Sequence, residues 1–495
     1  MHLFCVKNYQ NAHFMKSMLL KIIFSFFLFF ISFSSFSQTL DKRIQQVENG
    51  FVFPSVFTDT QLTRYNIYDQ LKKHRIHGAS IAVIHQGKID WTKSYGYVDK
   101  DHRQAVSKET LFQSASIGKI ITALVALRLV QEGKIDLDEN VNKKLKRWKV
   151  RENELTKKQS VSLRHLLSHG SGLTDDYGFL GYKPKDQIPS LVQILSKSSP
   201  AKAKKSLDIK TTPGSVERYS GAGYLIVQLL IEDVSGLSFE QCVQQYIFHP
   251  LHMINSTYEY RPDINLNKEI ATGHHGNGKS LKKKKYHIYP EKGAAGPWTT
   301  AEDLAKLVIG IQTNQVINEE LTQKMMTPQI NHKGLGINLK GVDQPHAFWH
   351  AGQNLGYTGL LYGLLNKGDG AVILLNSDGG ERFMQEFISS VATVYDWPIM
   401  KAYQEQTISR KDRELLLGTY QNGTTSLTIK EHKGNMIVSS TSSKERAQLL
   451  KISENHYTFK DAQDYYRLSF SFENGIVKEL HYEKSIGNKI TLKKI

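Results

Sequence analysis

From Ser114 to Leu137 the chain reads SASIGKIITALVALRLVQEGKIDL, a stretch that carries a helix and a reactive pair together. Ile120, Ile121, Leu124, Leu127 and Leu129 crowd a helix that stops at Gly133. At its start Ser116 and Lys119 stand three residues apart, so hydroxyl and amine share one face. The first turn of a helix also offers unpaired backbone N–H groups and a positive dipole end, which favour a developing oxyanion. Burial in such a place disfavours an ammonium, the condition under which an amine accepts a hydroxyl proton. The bare Ser-x-x-Lys pattern is common; Ser199–Lys202 and Ser280–Lys283 match it too, in polar Pro- or Lys-rich loops. The neighbouring sequence has to decide.

Upstream, Gly78 to Asp99 gives two strand-like runs around Gln86-Gly87, a hairpin signal. Leu40 to Lys73 reads as helical with a break near Pro54. Downstream, Leu163–Leu173 is a short helix entering a glycine turn, GYLIVQLLIEDVSG following Tyr219 is a long helix, and FEQCVQQYIF another. Thr299 to Gln312 opens a helix with a Thr cap and acidic first-turn residues. Strands return from Phe348 in GLLYGLLN and GAVILLNSD, and a helix follows at RFMQEFISSVATVY. Strands at both ends with helices between predict an α+β fold: an antiparallel sheet built from chain-distant pieces, with a helical subdomain on it. After Pro398 alternating apolar and polar residues with Asn-Gly or Lys-Gly turns predict a small all-β domain, clearest from Leu415 to Ile495. The expected division is a signal peptide over 1–37, a main domain over 38–402 and a β-rich accessory domain over 403–495.

Met18 to Phe36 is a basic-flanked apolar run ending in Ser35-Phe36-Ser37, which suits cleavage before Gln38. An uncut membrane anchor is the rival, although the apolar run of 15 residues from Leu19 to Phe33 is short against the ~20 needed to span a bilayer. With no later run long enough to span, the expectation is a periplasmic or secreted protein without a stable membrane span. The net charge of +17 falls to +14 once Lys7, Lys16 and Lys21 leave with the signal. Such a balance suits anionic polymers or head groups, and no motif supports nucleic-acid binding. Cys5 would leave with the signal, so Cys242 has no disulfide partner and reads as a small buried apolar residue.

Six elements then appear in a fixed order. They are Phe112-Gln113-Ser114-Ala115-Ser116-Ile117-Gly118-Lys119, Leu166 to Leu173 (LLSHGSGL), Pro213-Gly214 with Tyr219 to Tyr224 (YSGAGY), Ile247 to Leu251, Gly293 to Leu304, and His350-Ala351-Gly352 with Gly356. Together they resemble the serine β-lactamase and penicillin-binding-protein superfamily, in its class C β-lactamase-like branch. The resemblance implies a serine hydrolase with Ser116 acylated, Lys119 moving protons, Tyr219 sharing acid and base work, and His350 orienting substrate. It further implies an oxyanion hole from the backbone N–H groups of Ser116 and Gln353, with Gly221 and Gly352 lining the substrate site. No cofactor or metal is implied. One position departs from the pattern: Gly221 stands where many relatives carry Asn, whose amide contacts an acyl-amide substrate. The resemblance implies an ester or amide substrate, a small molecule or a cell-wall peptide, for an esterase, D-aminopeptidase/carboxypeptidase or β-lactamase-like activity, and Gly221 shifts the expectation towards esters or small D-amino-acid amides over antibiotics. The alternative is a catalytically weak binder or sensor of peptidoglycan peptides.

Gly273 to Ser280 (GHHGNGKS) fits a phosphate-binding loop letter for letter, but no apolar strand precedes it and no amphipathic helix follows. His274, His275 and His287 lack the helical spacing of metal ligands, so a polar loop is expected there.

Overall fold

The protein is described by a computed structural model covering residues 39–53, 56–57, 63–101, 104–173, 179–202, 207–281, 286–340, 346–365, 368–397, 403–423, 425–440, 446–459, 466–484 and 489–495. The expected signal segment and the change of texture at Pro398 lie outside these residues.

The hairpin around Gln86-Gly87 forms as read, from β1 (Gly78–His85) and β2 (Lys88–Gly96). Strands β3 (Asn338–Lys340), β4 (Ala347–Asn354), β5 (Tyr357–Leu364) and β6 (Gly370–Leu375) complete one antiparallel sheet in the order β2-β1-β6-β5-β4-β3. The chain-distant join is β1 on β6, with Ala79 opposite Leu375 and Val83 opposite Ala371. The α+β expectation holds. The stretch SIAVI explains why β1 is central: Ile81 and Val83 enter one core while Ala82 and Ile84 enter another. A strand covered on both faces is apolar at every position, not at alternate ones.

The larger core holds α1 (Gly118–Gln131), α2 (Gly221–Ser235) and α3 (Ala301–Gln312). Every residue of α1 from Gly118 to Leu127 is buried, so this helix runs through the interior and is apolar nearly all round. Burying each large aliphatic side chain there contributes about 1.5–3 kcal/mol. Ser220 caps α2 by accepting the Gly223 N–H at 2.9 Å, and Thr300 caps α3 through the Asp303 N–H. The opposite face of the sheet is covered by α4 (Glu381–Val394) and the helix at 39–48. That N-terminal helix and Ile67–Lys73 replace the single interrupted helix expected from Leu40 to Lys73. Cys242 is buried among the helices, and its thiol donates to Ser235 Oγ at 3.2 Å.

Past residue 403, eight strands from Gly418–Asn422 to Lys489–Lys494 close into an antiparallel barrel. Its interior is filled by side chains, among them Tyr420, Leu468, Phe470 and Leu492, so it is a packed core rather than a channel. Closure leaves no open sheet edge. No single described helix is long and apolar enough to cross a membrane.

Candidate active site

Ser116 sits in a 3-10 turn, Ala115–Ile117, that feeds directly into α1. Ala115 has a φ of +50°, a left-handed conformation that turns the backbone sharply just before the serine. For a residue with a Cβ this costs about 1–2 kcal/mol, and such outliers concentrate where geometry serves chemistry. Gly296 presses against this turn: a Cβ there would lie 2.0 Å from the Ala115 carbonyl oxygen. In the stretch from Leu111 to Ile120 only Ser116 is not fully buried.

One turn along, Lys119 is 1% exposed and aims its amine back at the serine. Its Nζ donates to Ser116 Oγ at 3.0 Å and to the Ala294 carbonyl at 2.6 Å. Ala294 belongs to the short helix Lys292–Ala295, so the Gly293–Gly296 element holds the lysine in register with the serine. The other Ser-x-x-Lys sites behave differently. Lys202 turns to the Gly181 carbonyl and Asp186, and Lys283 lies outside the described residues.

Tyr219 immediately precedes the cap of α2, and its ring centroid lies 5.1 Å from Lys119 Nζ. His169, from the LLSHGSGL element, packs its ring 4.4 Å from that of Tyr219 and accepts the Ser220 backbone N–H on Nδ1 at 3.1 Å. His350, on β4, lies 6.4 Å from the Tyr219 ring and donates from Nδ1 to the Ala351 carbonyl at 2.7 Å. Burial, with the charges of Lys119 and Lys333 in support, pushes the His350 imidazole down to about 3. His169 is likewise held well below the ordinary histidine value by burial and then by Lys333, Lys119 and His350. Both rings are therefore neutral at physiological pH. Lys333 is a second buried cation here, 5.9 Å from the Tyr219 ring and paired with Glu217 at 3.5 Å and with Asn338.

Gly352 crosses directly over the serine turn. A Cβ on it would meet the Ser114 carbonyl oxygen at 2.1 Å, so only glycine lets β4 approach this closely. The next residue, Gln353, is exposed, and its side-chain amide donates to the Asp378 carbonyl at 2.8 Å. Ser116, Lys119, Tyr219, Gly221 and Gln353 line one open cleft of about 490 Å³, together with Phe179, Leu180, Tyr289, Leu355 and Asp378. Gly352 and the buried His350 are not among the residues that line that cleft. A serine, a buried amine, a phenol and a close-approaching strand edge are the parts that acyl transfer requires.

The Beta-lactamase family profile matches residues 64–391, from before β1 into α4. The chain belongs to the β-lactamase family. Its fold is that of the wider group that includes penicillin-binding proteins. An octameric penicillin-binding protein homologue from Pyrococcus abyssi superposes with a TM-score of 0.56 at 21% identity, covering 86% of this chain and 98% of its own. Protein flp of Staphylococcus aureus (strain MRSA252) is 28% identical over 240 residues, 48% of this chain and 46% of that protein. The teichoic acid D-alanine hydrolase of the same strain is 25% identical over 264 residues, 53% of this chain and 61% of that protein. The chain thus spans about half the length of the first of these curated relatives.

Sequence reading assigned no role to His169, Lys333, the Ala294 carbonyl or Asp378. His169 and Ala294 fall inside quoted elements, whereas Lys333 and Asp378 carry no local pattern and reach the site only through the fold. At the phosphate-loop look-alike, the expected polar loop is partly a buried crossing. His274 is fully buried, donates from Nδ1 to the Asn376 carbonyl at 3.0 Å and packs against His77, with ring centroids 4.3 Å apart. Lys282–Lys285 lie outside the described residues, and among the described ones no cluster suits a metal ion.

Proposed function

We propose that this β-lactamase-family protein is an exported serine hydrolase that works by two-step acyl transfer. The observation carrying the proposal is the 3.0 Å contact between Lys119 Nζ and Ser116 Oγ at the floor of an open cleft. Ser116 Oγ attacks the substrate carbonyl and passes its proton to Lys119, which acts as general base. The oxyanion is held by the backbone N–H groups of Ser116 and Gln353. The carbonyl–leaving-group bond breaks as Tyr219 or Lys119 protonates the departing oxygen or nitrogen. Water then attacks the acyl-serine carbonyl and gives a proton to the same pair; the acyl–Oγ bond breaks, that proton returns to Ser116 Oγ, and the acid leaves. His350 and His169, both neutral, act as positioning residues that fix Tyr219 and the backbone beside it.

Gly221 supports ester or small D-aminoacyl substrates over larger amides, because it offers no side-chain amide at the cleft. Kinship with a teichoic acid D-alanine hydrolase points the same way. Export rests on the basic-flanked apolar run at Met18–Phe36.

Intact-protein mass after exposure to a fluorophosphonate, in wild type and Ser116→Ala, tests the reading. A single adduct that vanishes in the variant is the expected result. No adduct in wild type would favour a peptide-binding or sensor role instead.

A further inference from the structure

The cleft around Ser116 has few charged groups, and much of its described lining is the side chains of Phe179, Leu180, Leu355 and Tyr289. Among its described lining residues Asp378 is the one acidic side chain, and Lys119, the proposed general base, is the one lysine or arginine. Lys119 is already committed to Ser116 and the Ala294 carbonyl. Nearby, Lys333 is paired with Glu217 and Asn338, and His350 is neutral and buried. A substrate carboxylate therefore meets no uncommitted cation in the described lining of the cleft. A substrate ammonium meets Asp378.

Asp378 is also held in place for such a task. Its Oδ1 accepts the Gly276 N–H at 2.7 Å, and its Oδ2 accepts the Gly356 N–H at 3.1 Å and faces His275 Nδ1 at 3.3 Å. Its own carbonyl accepts the side-chain amide of Gln353, whose backbone N–H is the proposed oxyanion donor. The carboxylate is thus tied through one residue to the reacting centre, and its side chain keeps 19% of its surface exposed. A carboxylate has about four acceptor sites, so three neighbours leave capacity for one more donor.

We infer that Asp378 is a specificity residue that pairs with a cationic amine carried by the substrate, which makes aminoacyl esters and amides with an unblocked α-ammonium the preferred class. The inference rests on the acyl-transfer reading above.

The test compares D-alanine methyl ester with its N-acetyl derivative, which differ in that positive charge. Wild type should show kcat/KM roughly ten- to a hundredfold higher for the unblocked ester, the worth of a hydrogen bond to a charged group. Asp378→Asn should bring the two esters to within about threefold of one another, and Asp378→Glu should restore the preference. Fluorophosphonate labelling of Ser116 accompanies each measurement. Equal rates for the two esters in wild type, or an undiminished preference in Asp378→Asn, would overturn the assignment. So would loss of labelling in Asp378→Asn, which would make the carboxylate a staple of the β4–β5 turn. Absence of labelling in wild type would instead defeat the acyl-transfer reading itself, and this inference with it.

Discussion

The ring of His169 lies 4.4 Å from that of Tyr219, and the same imidazole accepts the backbone N–H of Ser220. His169 adopts a left-handed backbone, with φ +59°, which carries its ring under the phenol. Because Nδ1 accepts a hydrogen bond and burial keeps the ring neutral, the imidazole presents its proton on Nε2. The phenol is therefore positioned from two elements, the Leu163–Leu167 helix end and the cap of α2.

Replacing Lys119 by Met keeps most of the buried volume but removes the amine that contacts Ser116. Acylation by fluorophosphonate or an activated ester should slow by about 10²–10⁴-fold, the range for loss of a general base. Retention of the wild-type rate in stopped-flow labelling would assign the proton transfer to another group.

Gly352→Ala places a Cβ 2.1 Å from the Ser114 carbonyl oxygen, which is backbone and cannot swing away. The β4 edge must then lift, taking the Gln353 N–H with it. The expected loss is about 10²–10³-fold in kcat, as for removal of one oxyanion donor, with an overpacking cost of about 1–3 kcal/mol in stability. Parallel urea melts and ester kinetics separate the two effects.

Gly221→Asn supplies the amide that Gly221 lacks at the cleft. One added hydrogen bond of about 1 kcal/mol predicts roughly a fivefold rise in kcat/KM for an amide relative to the matched ester. An unchanged ratio would show that this position does not contact the acyl-amide.

Stability should decline as pH falls below about 6.5, where imidazoles in the unfolded chain begin to take up protons. In the native state His350 and His274 resist protonation down to about 3 and about 4, and His169 is also strongly depressed, chiefly through burial. The unfolded state then binds more protons throughout this window, and acid favours it. Glu291 opposes the trend. It is 4% exposed, its Oε2 has no hydrogen-bond partner among the described residues, and burial raises it from 4.5 to about 7. The native state therefore holds an extra proton there between those values, and stability is gained as pH falls through them. Glu291→Gln removes this opposing contribution. Calorimetry should show a higher Tm at pH 8 than wild type and a steeper loss between pH 6.5 and 4.5. A Glu291→Gln Tm that stays flat across that range would contradict the histidine assignment.

The α+β class, the hairpin at Gln86-Gly87, the buried helix that follows Ser116 and the β texture past Leu415 were all readable from the chain alone. Each of these is set by local periodicity and turn chemistry, which short stretches of chain express on their own. Ser116 and Lys119 could be read as neighbours on one helix face, but that spacing also fits Ser199–Lys202 and Ser280–Lys283, and it was the resemblance of the surrounding elements that singled this pair out. That β1 joins β6 across nearly three hundred residues, and that Gly352 rides over Ser114, emerged with the folded chain. Folding also brought Lys333 and Asp378 to the site, because long-range burial and charge proximity leave no spacing to read. His350 shows the difference most plainly. Its motif marked it as part of the site, but its neutral, buried state follows from two lysines and a sheet edge that the local sequence does not contain.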